Sequence, residues 1–350
     1  MDPLLRVLFR FNDHVFVTNV PHATIKVYHD PVETNATWKS AFAPATVANV
    51  GPGLDVLGFA LDGQSMLGDH CAIRLTEHDA IGVTVEGDGG LLPTEPNKNV
   101  ASVAAMAAFK MANVTQGFDL RLRKGIAVGS GLGSSAASAA SAVIAANNVL
   151  GNVLTTQQLI AAARQGEVVA AGAPHPDNVV PALLGGFQLM IDEPDEDLKV
   201  VSLPVPIGLH VVVVHPALSI STRDARDAVP AHVPIGDAIA NLGHLGMLIS
   251  ALYESDFHRL GTSIRDRLHQ PYRVPMIEGF DRVYEAAMQA GALGAGISGS
   301  GPSVFAFTDA MDGARRCGSA MQAAFGTKQI ASESFVSPVG SVGAIQNAAS

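Results

Sequence analysis

Aromatic residues are scarce in this chain. Phe, Trp and Tyr make up 5% of 350 residues, with a single Trp. That leaves little material for stacking on nucleic-acid bases. Basic residues are the minority charge: 22 Lys and Arg against 32 Asp and Glu give a formal net charge of -10. A negative surface disfavours nucleic acid and anionic membranes as main partners, although a few Arg side chains and helix N-termini can still hold a small anion. Cysteine is nearly absent. Cys71 and Cys317 stand far apart, which excludes a disulfide framework or a cysteine metal cluster and fits reduced thiols in a cytosolic protein. No uninterrupted apolar span reaches the length needed to cross a bilayer. The N-terminus MDPLLRVLFRFNDHVFV lacks the basic-then-apolar order of a secretory signal. The expected location is the cytoplasm, with neither membrane nor nucleic acid as partner.

What is present is apolar and rich in Ala. Hydrophobic residues reach 48% and charged residues 15%, the balance of a globular chain rather than a disordered one. The length suggests two domains. Residues 1–40 read as an appendage that ends in the polar linker HDPVETNATWKS. The acidic stretch IDEPDEDLK is the best boundary between a domain over 41–195 and another over 196–345. AFAPAT is extended, and CAIRLTEHDAIGVTVEG and FDLRLRKGIAV alternate as strands do. NVASVAAMAAFKMANV has helical spacing with Asn99 as N-cap, and TTQQLIAAARQGEVVA begins on a Thr cap. GAPHPDNVVPALLGG reads as a Pro/Gly loop with a short apolar piece, and GAGISGSGPS as a Gly-rich loop. The 235–260 segment is helical, with Gly243 or Gly246 as a point of breakage. Strands and helices mix without a strict parallel-sheet rhythm, so the class is α+β in two domains.

The stretch GSGLGSSAAS at 129–138 is the strongest chemical signal. Its glycines let backbone approach a ligand, and a helix begins at once with unpaired N–H groups, so it suits an anion. No Lys follows, which excludes a Walker A loop. A tight Gly/Ala turn packed under a sheet remains the competing reading. Ser135 pairs with Glu167 around Mg²⁺ if the two helices face each other. The loop 294–303 either turns the chain or braces the first loop. His175, between two prolines, can be a base, a donor or a plain loop residue. Arg226 and Arg273 sit in turn-prone segments. Each suits a carboxylate or a surface ion pair. Asn49 and Asp55 either form turns or hold a polar group.

The order APATVANVGPGLDVLG, GSGLGSSAAS and GAGISGSGPSVFAF resembles the three blocks of the GHMP small-molecule kinases. PHPDNVVPALLGGF and ISTRDARDAVP are similar to the homoserine kinase branch. The likeness runs from about residue 41 to the C-terminal region. It implies a two-domain GHMP kinase fold: a ribosomal-protein-S5-like N-terminal domain and a ferredoxin-like C-terminal one. It also implies ATP and Mg²⁺, transfer of a phosphoryl group to the side-chain hydroxyl of L-homoserine on the route to threonine, and a homodimer.

The resemblance further implies roles for single residues. The backbone of Ala127, Val128, Gly129, Ser130, Gly131, Leu132, Gly133, Ser134, Ser135, Ala136 and Ala137 wraps the triphosphate. Asn99 lies near the adenine. Ser135 and Glu167 hold Mg²⁺. Asp55 takes the ammonium of the substrate, and Arg226 and Arg273 its carboxylate. Asn49 contacts the reacting hydroxyl, and His175, Asn178 and Thr222 line the site near the γ-phosphate. Asn178 stands where relatives such as mevalonate kinase have an Asp base, so direct attack by the hydroxyl is expected, with Asp177 as the competing base. The chain departs from the pattern at Ala127, where many relatives have Pro, in the two prolines around His175, and in the first forty residues. Two rivals remain: another GHMP kinase with a different small alcohol, and a catalytically silent member that binds ligand.

Overall fold

Among the described residues the alternations of the sequence give one two-stranded sheet, three four-stranded sheets and eleven α-helices. The structure, a computed structural model, describes residues 8–11, 14–17, 38–62, 67–194, 196–340 and 342–347. The chain divides into two units, Met1–Ala36 and Thr37–Ser350. In the first, β1 (Leu8–Phe11) and β2 (His14–Val17) pair antiparallel. Lys39 and Ser40, expected in the appendage, instead open the first strand of the second unit.

In that unit one sheet runs β3 (Lys39–Pro44), β6 (Gly68–Leu75), β8 (Phe118–Arg123), β7 (Gly82–Glu86). A second runs β10 (Lys199–Leu203), β9 (Phe187–Ile191), β5 (Leu57–Ala60), β4 (Thr46–Ala48). Helices α1 (Val100–Met111), α2 (Ser134–Val149), α3 (Thr156–Ala171) and α4 (Pro176–Leu184) pack with them. Asn99 caps α1 by accepting from the Ser102 N–H, and Thr155 and Gln158 form a reciprocal capping box on α3. Every residue of α2 from Ala136 to Asn147 is buried. A helix apolar or small on all sides belongs in the interior, and its Ala and Ser side chains let α1, α3, β3 and β6 all approach it.

The third sheet runs β12 (Gly294–Ile297), β13 (Val304–Thr308), β11 (His210–Pro216), β14 (Ser332–Pro338). Its alternation is informative. Val211, Val213, Phe305 and Phe307 join the large core of the first two sheets, while Val212, Val214, Val304 and Ala306 face a second cluster with Phe280, Met321 and Phe325. Period-two geometry sends successive side chains to opposite faces, so a strand reading VVVV serves both cores. Helices α9 (Phe280–Gln289) and α10 (Met311–Gly326) cover the second cluster. The remaining helices are α5 (Thr222–Asp227), α6 (Ile235–Glu254), α7 (Phe257–Ser263), α8 (Gln270–Arg273) and α11 (Ala344–Asn347).

Five local expectations are corrected. The acidic stretch is the connection between paired strands β9 and β10, and the passage to the third sheet falls later, at 204–209. The Pro/Gly loop at 173–186 is largely α4: Pro176 occupies a first-turn position, where its missing N–H costs nothing. Gly294–Ile297 is a buried strand, not loop. Arg226 and Arg273 lie on the short helices α5 and α8 rather than in turns. Helix α6 runs unbroken through Gly243 and Gly246 to a left-handed Ser255. Among the described residues it is the one helix long and apolar enough, by length and composition, to cross a membrane. It leaves Ile235, Ile239, Leu242 and Tyr253 more than 60% exposed.

Candidate active site

Strand β8 ends at Arg123, and the chain bends through 124–133 before α2 begins. Gly129, Gly131 and Gly133 all have positive φ, at 72°, 76° and 66°. The space around them is as restrictive as the angles. A Cβ on Gly131 would sit 2.6 Å from the carbonyl oxygens of Ser298 and Gly301, and one on Gly133 2.0 Å from Thr46 Oγ1. The second Gly-rich loop therefore braces the first. Ser298 Oγ donates to the Gly131 carbonyl at 2.7 Å and Ser303 Oγ to the Ser130 carbonyl at 2.6 Å. No side chain caps the N-terminus of α2, so its first N–H groups stay free for an anion.

This loop forms one wall of a cavity of about 590 Å³. Val128, Gly129, Ser130, Gly131, Gly133, Ser134 and Ser135 line it. Leu132, Ala136 and Ala137 are buried in the core instead, and Ala127 lies outside the lining. Helices α2 and α3 do face each other: Ser135 Oγ donates to Glu167 Oε2 at 3.1 Å. Glu167 is 6% exposed, and its Oε1 has no hydrogen-bond partner. Burial, reinforced by the charge of Asp177, pushes its pKa up to about 7, against the pull of Ser135 and Lys124. A hydroxyl beside a carboxylate with an orphaned oxygen is a donor set that fits a hard divalent cation.

Asn99 lines the same cavity through a side chain already engaged, since Oδ1 caps α1 and Nδ2 donates to the Pro93 carbonyl. Asn49 lines it too, in a left-handed conformation with φ 55°, and its Oδ1 accepts from the Asp55 N–H at 2.8 Å. Asn and Asp tolerate that conformation better than other residues with side chains. Asn178 accepts from Thr46 Oγ1 at 2.7 Å, under the Gly133 turn. Thr222, His175 and Asp177 complete this wall. Burial, followed by the Arg226 charge, holds His175 below the usual imidazole range. Asp177 is 5% exposed, and burial, then the neighbouring Asp55 charge, raises its pKa to about 6.

Two guanidinium groups reach this end of the site. Arg226 lines the cavity and makes a two-pronged bond to Asp55, Nη2 to Oδ1 at 2.8 Å and Nη1 to Oδ2 at 3.1 Å. Arg273 is 3% exposed and donates to the carbonyls of Ala225 and Gly299, both at 3.0 Å. Among the described residues no carboxylate lies within ion-pair distance of it. Burial, then Arg226, works against its charge, so the site holds a buried cation in need of an anion. Behind it His269 is 1% exposed, with Nε2 facing the Gly51 carbonyl at 3.2 Å and Nδ1 facing Arg273 Nη1 at 3.4 Å.

Sequence reasoning missed a second buried charge. Lys124 bonds Asp69 and also donates to the Ser134 carbonyl at 2.8 Å and Ser138 Oγ at 2.9 Å. Asp69 in turn accepts from the Gly125 and Ile126 N–H groups. The pair ties the entrance of the loop to the start of α2. In the sequence, KG after an alternating strand and GD before another carry no signal of this meeting.

The cavity thus joins a phosphate-type loop, a hydroxyl–carboxylate pair and opposite charges from two ends of the chain. Its relatives are kinases. Residues 99–186 match the GHMP kinases N terminal domain model, and 248–326 the GHMP kinases C terminal model. The chain belongs to the GHMP kinases. It is 39% identical over 318 residues to the homoserine kinase of Chlorobium phaeobacteroides strain BS1, covering 87% of this chain and 98% of that one. The homoserine kinase of Chlorobaculum tepidum is 41% identical, covering 87% and 97%. The crystal structure of homoserine kinase from Cytophaga hutchinsonii superposes with a TM-score of 0.83 at 40% identity, covering 91% of this chain and 98% of that chain. Within the GHMP kinases, the chain is a member of the homoserine kinase family.

Proposed function

We propose that the chain phosphorylates the side-chain hydroxyl of L-homoserine with ATP, giving O-phospho-L-homoserine for threonine synthesis. One observation carries the reading: the anion loop shares its cavity with two guanidinium groups, and one of these is paired with the Asp55 carboxylate at the cavity's margin. An amino-acid alcohol needs both signs of charge, whereas a sugar or a mevalonate-type acid does not. Asp55 takes the ammonium, and Arg226 and Arg273 the carboxylate. Asn49 contacts the reacting hydroxyl, and His175, Asn178 and Thr222 line the space near the γ-phosphate. Backbone N–H groups of the 129–135 loop hold the phosphates, and Asn99 fixes the loop at the base. Ser135 and Glu167 hold Mg²⁺, which neutralises phosphate charge when bound. Phosphoryl transfer depends mainly on such positioning and electrostatic stabilisation.

The hydroxyl attacks directly in this reading, and its proton leaves late. Asp177 favours the competing version, because a buried carboxyl with a pKa near 6 is suited to act as a base near neutrality. The reading includes a homodimer and a cytoplasmic location. It is supported by the family and, for nucleic acid, by the acidic balance. The test is Mg²⁺-dependent ADP release with L-homoserine, D-homoserine, L-serine, mevalonate and galactose side by side. Stimulation by L-homoserine above the others is expected. Its absence overturns the assignment, and a failure of every alcohol to yield ADP points to a silent ligand-binding member.

A further inference from the structure

Asp55 and Arg226 are the two residues assigned to opposite ends of the substrate, yet here they bind one another. The contact is a fork on a fork: two N–H donors on two carboxylate oxygens, at 2.8 and 3.1 Å, across 171 residues of chain. Both partners are held from behind. The Asp55 N–H is fixed on Asn49 Oδ1. Arg226 stands on α5, and the Ala225 carbonyl beside it accepts from Arg273. A ligand entering this end must therefore replace an existing ion pair rather than fill two free sockets.

We infer that the Asp55–Arg226 pair is a latch that a zwitterion opens without leaving a charge unpaired, and that it thereby selects an amino acid over a hydroxy acid or an amino alcohol. This rests on the homoserine reading above. An ammonium replaces Arg226 at Asp55 while a carboxylate replaces Asp55 at Arg226, so two ion pairs form where one breaks. A ligand with a carboxylate alone takes Arg226 and leaves Asp55 unpaired. Asp55 then faces Asp177, whose proton affinity it already raises. A ligand with an ammonium alone takes Asp55 and leaves Arg226 beside Arg273, whose charge it already opposes. Each half-ligand is thus penalised by the partner it fails to satisfy, as a site built for a polar group rejects the analogue lacking it.

The latch makes a prediction that two independent sockets do not. Removing Asp55 frees Arg226, so a carboxylate-only ligand should bind better to the variant than to the native chain. The experiment measures dissociation constants, with ATP analogue and Mg²⁺ present, for L-homoserine, 4-hydroxybutyrate and 2-amino-1,4-butanediol. The proteins are the native chain, Asp55→Asn and Arg226→Gln. Asn suits the left-handed backbone at 55, where φ is 58°, and Asp55→Ser is the second variant if Asp55→Asn does not fold. Expected are weaker L-homoserine binding in both variants, and tighter 4-hydroxybutyrate binding in Asp55→Asn by roughly fivefold, the scale of a half-exposed ion pair. The amino alcohol should gain likewise in Arg226→Gln. Unchanged, weaker or absent 4-hydroxybutyrate binding to a folded Asp55 variant, with L-homoserine still bound by the native chain, overturns the latch alone. No binding of L-homoserine to the native chain overturns the functional reading and the latch with it.

Discussion

At the scale of single residues, burial decides which charges matter. Glu167 and Ser135 lie on successive helices, and the orphaned Oε1 marks where a cation would add a partner. Glu167→Gln should abolish the rise in melting temperature that Mg²⁺ with ATP gives the native chain, and lower ADP formation at least roughly tenfold, a loss of about 1.4 kcal/mol. Arg273→Ala should raise KM for homoserine by roughly 30-fold or more, with KM for ATP nearly unchanged, since losing one partner of a buried charge-assisted bond costs about 2 kcal/mol or more. Asp177 has a folded pKa near 6 against an ordinary value of 3.8. Its raised pKa means the folded chain prefers the protonated form. Stability should therefore fall as pH rises from about 4 to about 6 and level off above, by up to roughly 3 kcal/mol. Asp177→Asn should flatten that slope in denaturant melts. If the same variant folds and binds ATP yet turns over no homoserine, direct attack without a base is wrong.

At the scale of elements, the phosphate-type loop is held by other elements rather than by itself. Lys124 and Asp69 tie β8, β6 and α2 together in a pair almost closed to solvent. Lys124→Met leaves Asp69 buried and unpaired, which should destabilise the fold by about 3–5 kcal/mol, measured by urea unfolding. The third sheet does comparable work for packing. Phe305 meets Phe59 edge-on at a centroid distance of 6.3 Å, Phe307 meets it tilted at 5.3 Å, and both are fully buried. With Val211 and Val213 they join the third sheet to the large core, and the connection from β12 to their own strand, β13, is the loop that braces Gly131. The alternation that sends Val212 and Val214 to one cluster and Val211 and Val213 to the other was visible as an apolar run. Its two-sided use was not, because a buried run looks the same whether one core or two receive it.

At the scale of the whole molecule, the family relatives align with 87% of this chain and nearly all of their own length. The unit Thr37–Ser350 holds every residue of the candidate site. A chain beginning at Thr37 should therefore keep its ATP-dependent turnover of homoserine within about twofold, a change worth well under 1 kcal/mol. A larger loss would assign the first unit a part in the reaction. The predicted division at 195 falls inside a hairpin because charge density marks exposed turns as well as linkers: IDEPDEDLK is polar for the sake of the turn between β9 and β10.

While Leu92, Lys98, Lys124 and Ser219 joined the cavity lining unannounced, the sequence by itself determined the class of fold, the three glycine-bearing blocks and the loop and polar side chains along one part of the cavity wall. These depend on local chemistry: positive φ at Gly129, Gly131 and Gly133, a helix start after them, and side chains able to meet an anion. Tertiary structure alone decided how those residues meet. It brought Ser135 to Glu167, Ser298 and Ser303 to the first loop, and Lys124 to Asp69. It also closed Asp55 on Arg226 across 171 positions. Side chains so far apart along the chain leave no periodic trace of their contact. Ion pairs and braces of this kind are set by which elements pack together, and packing is fixed only when the whole core forms.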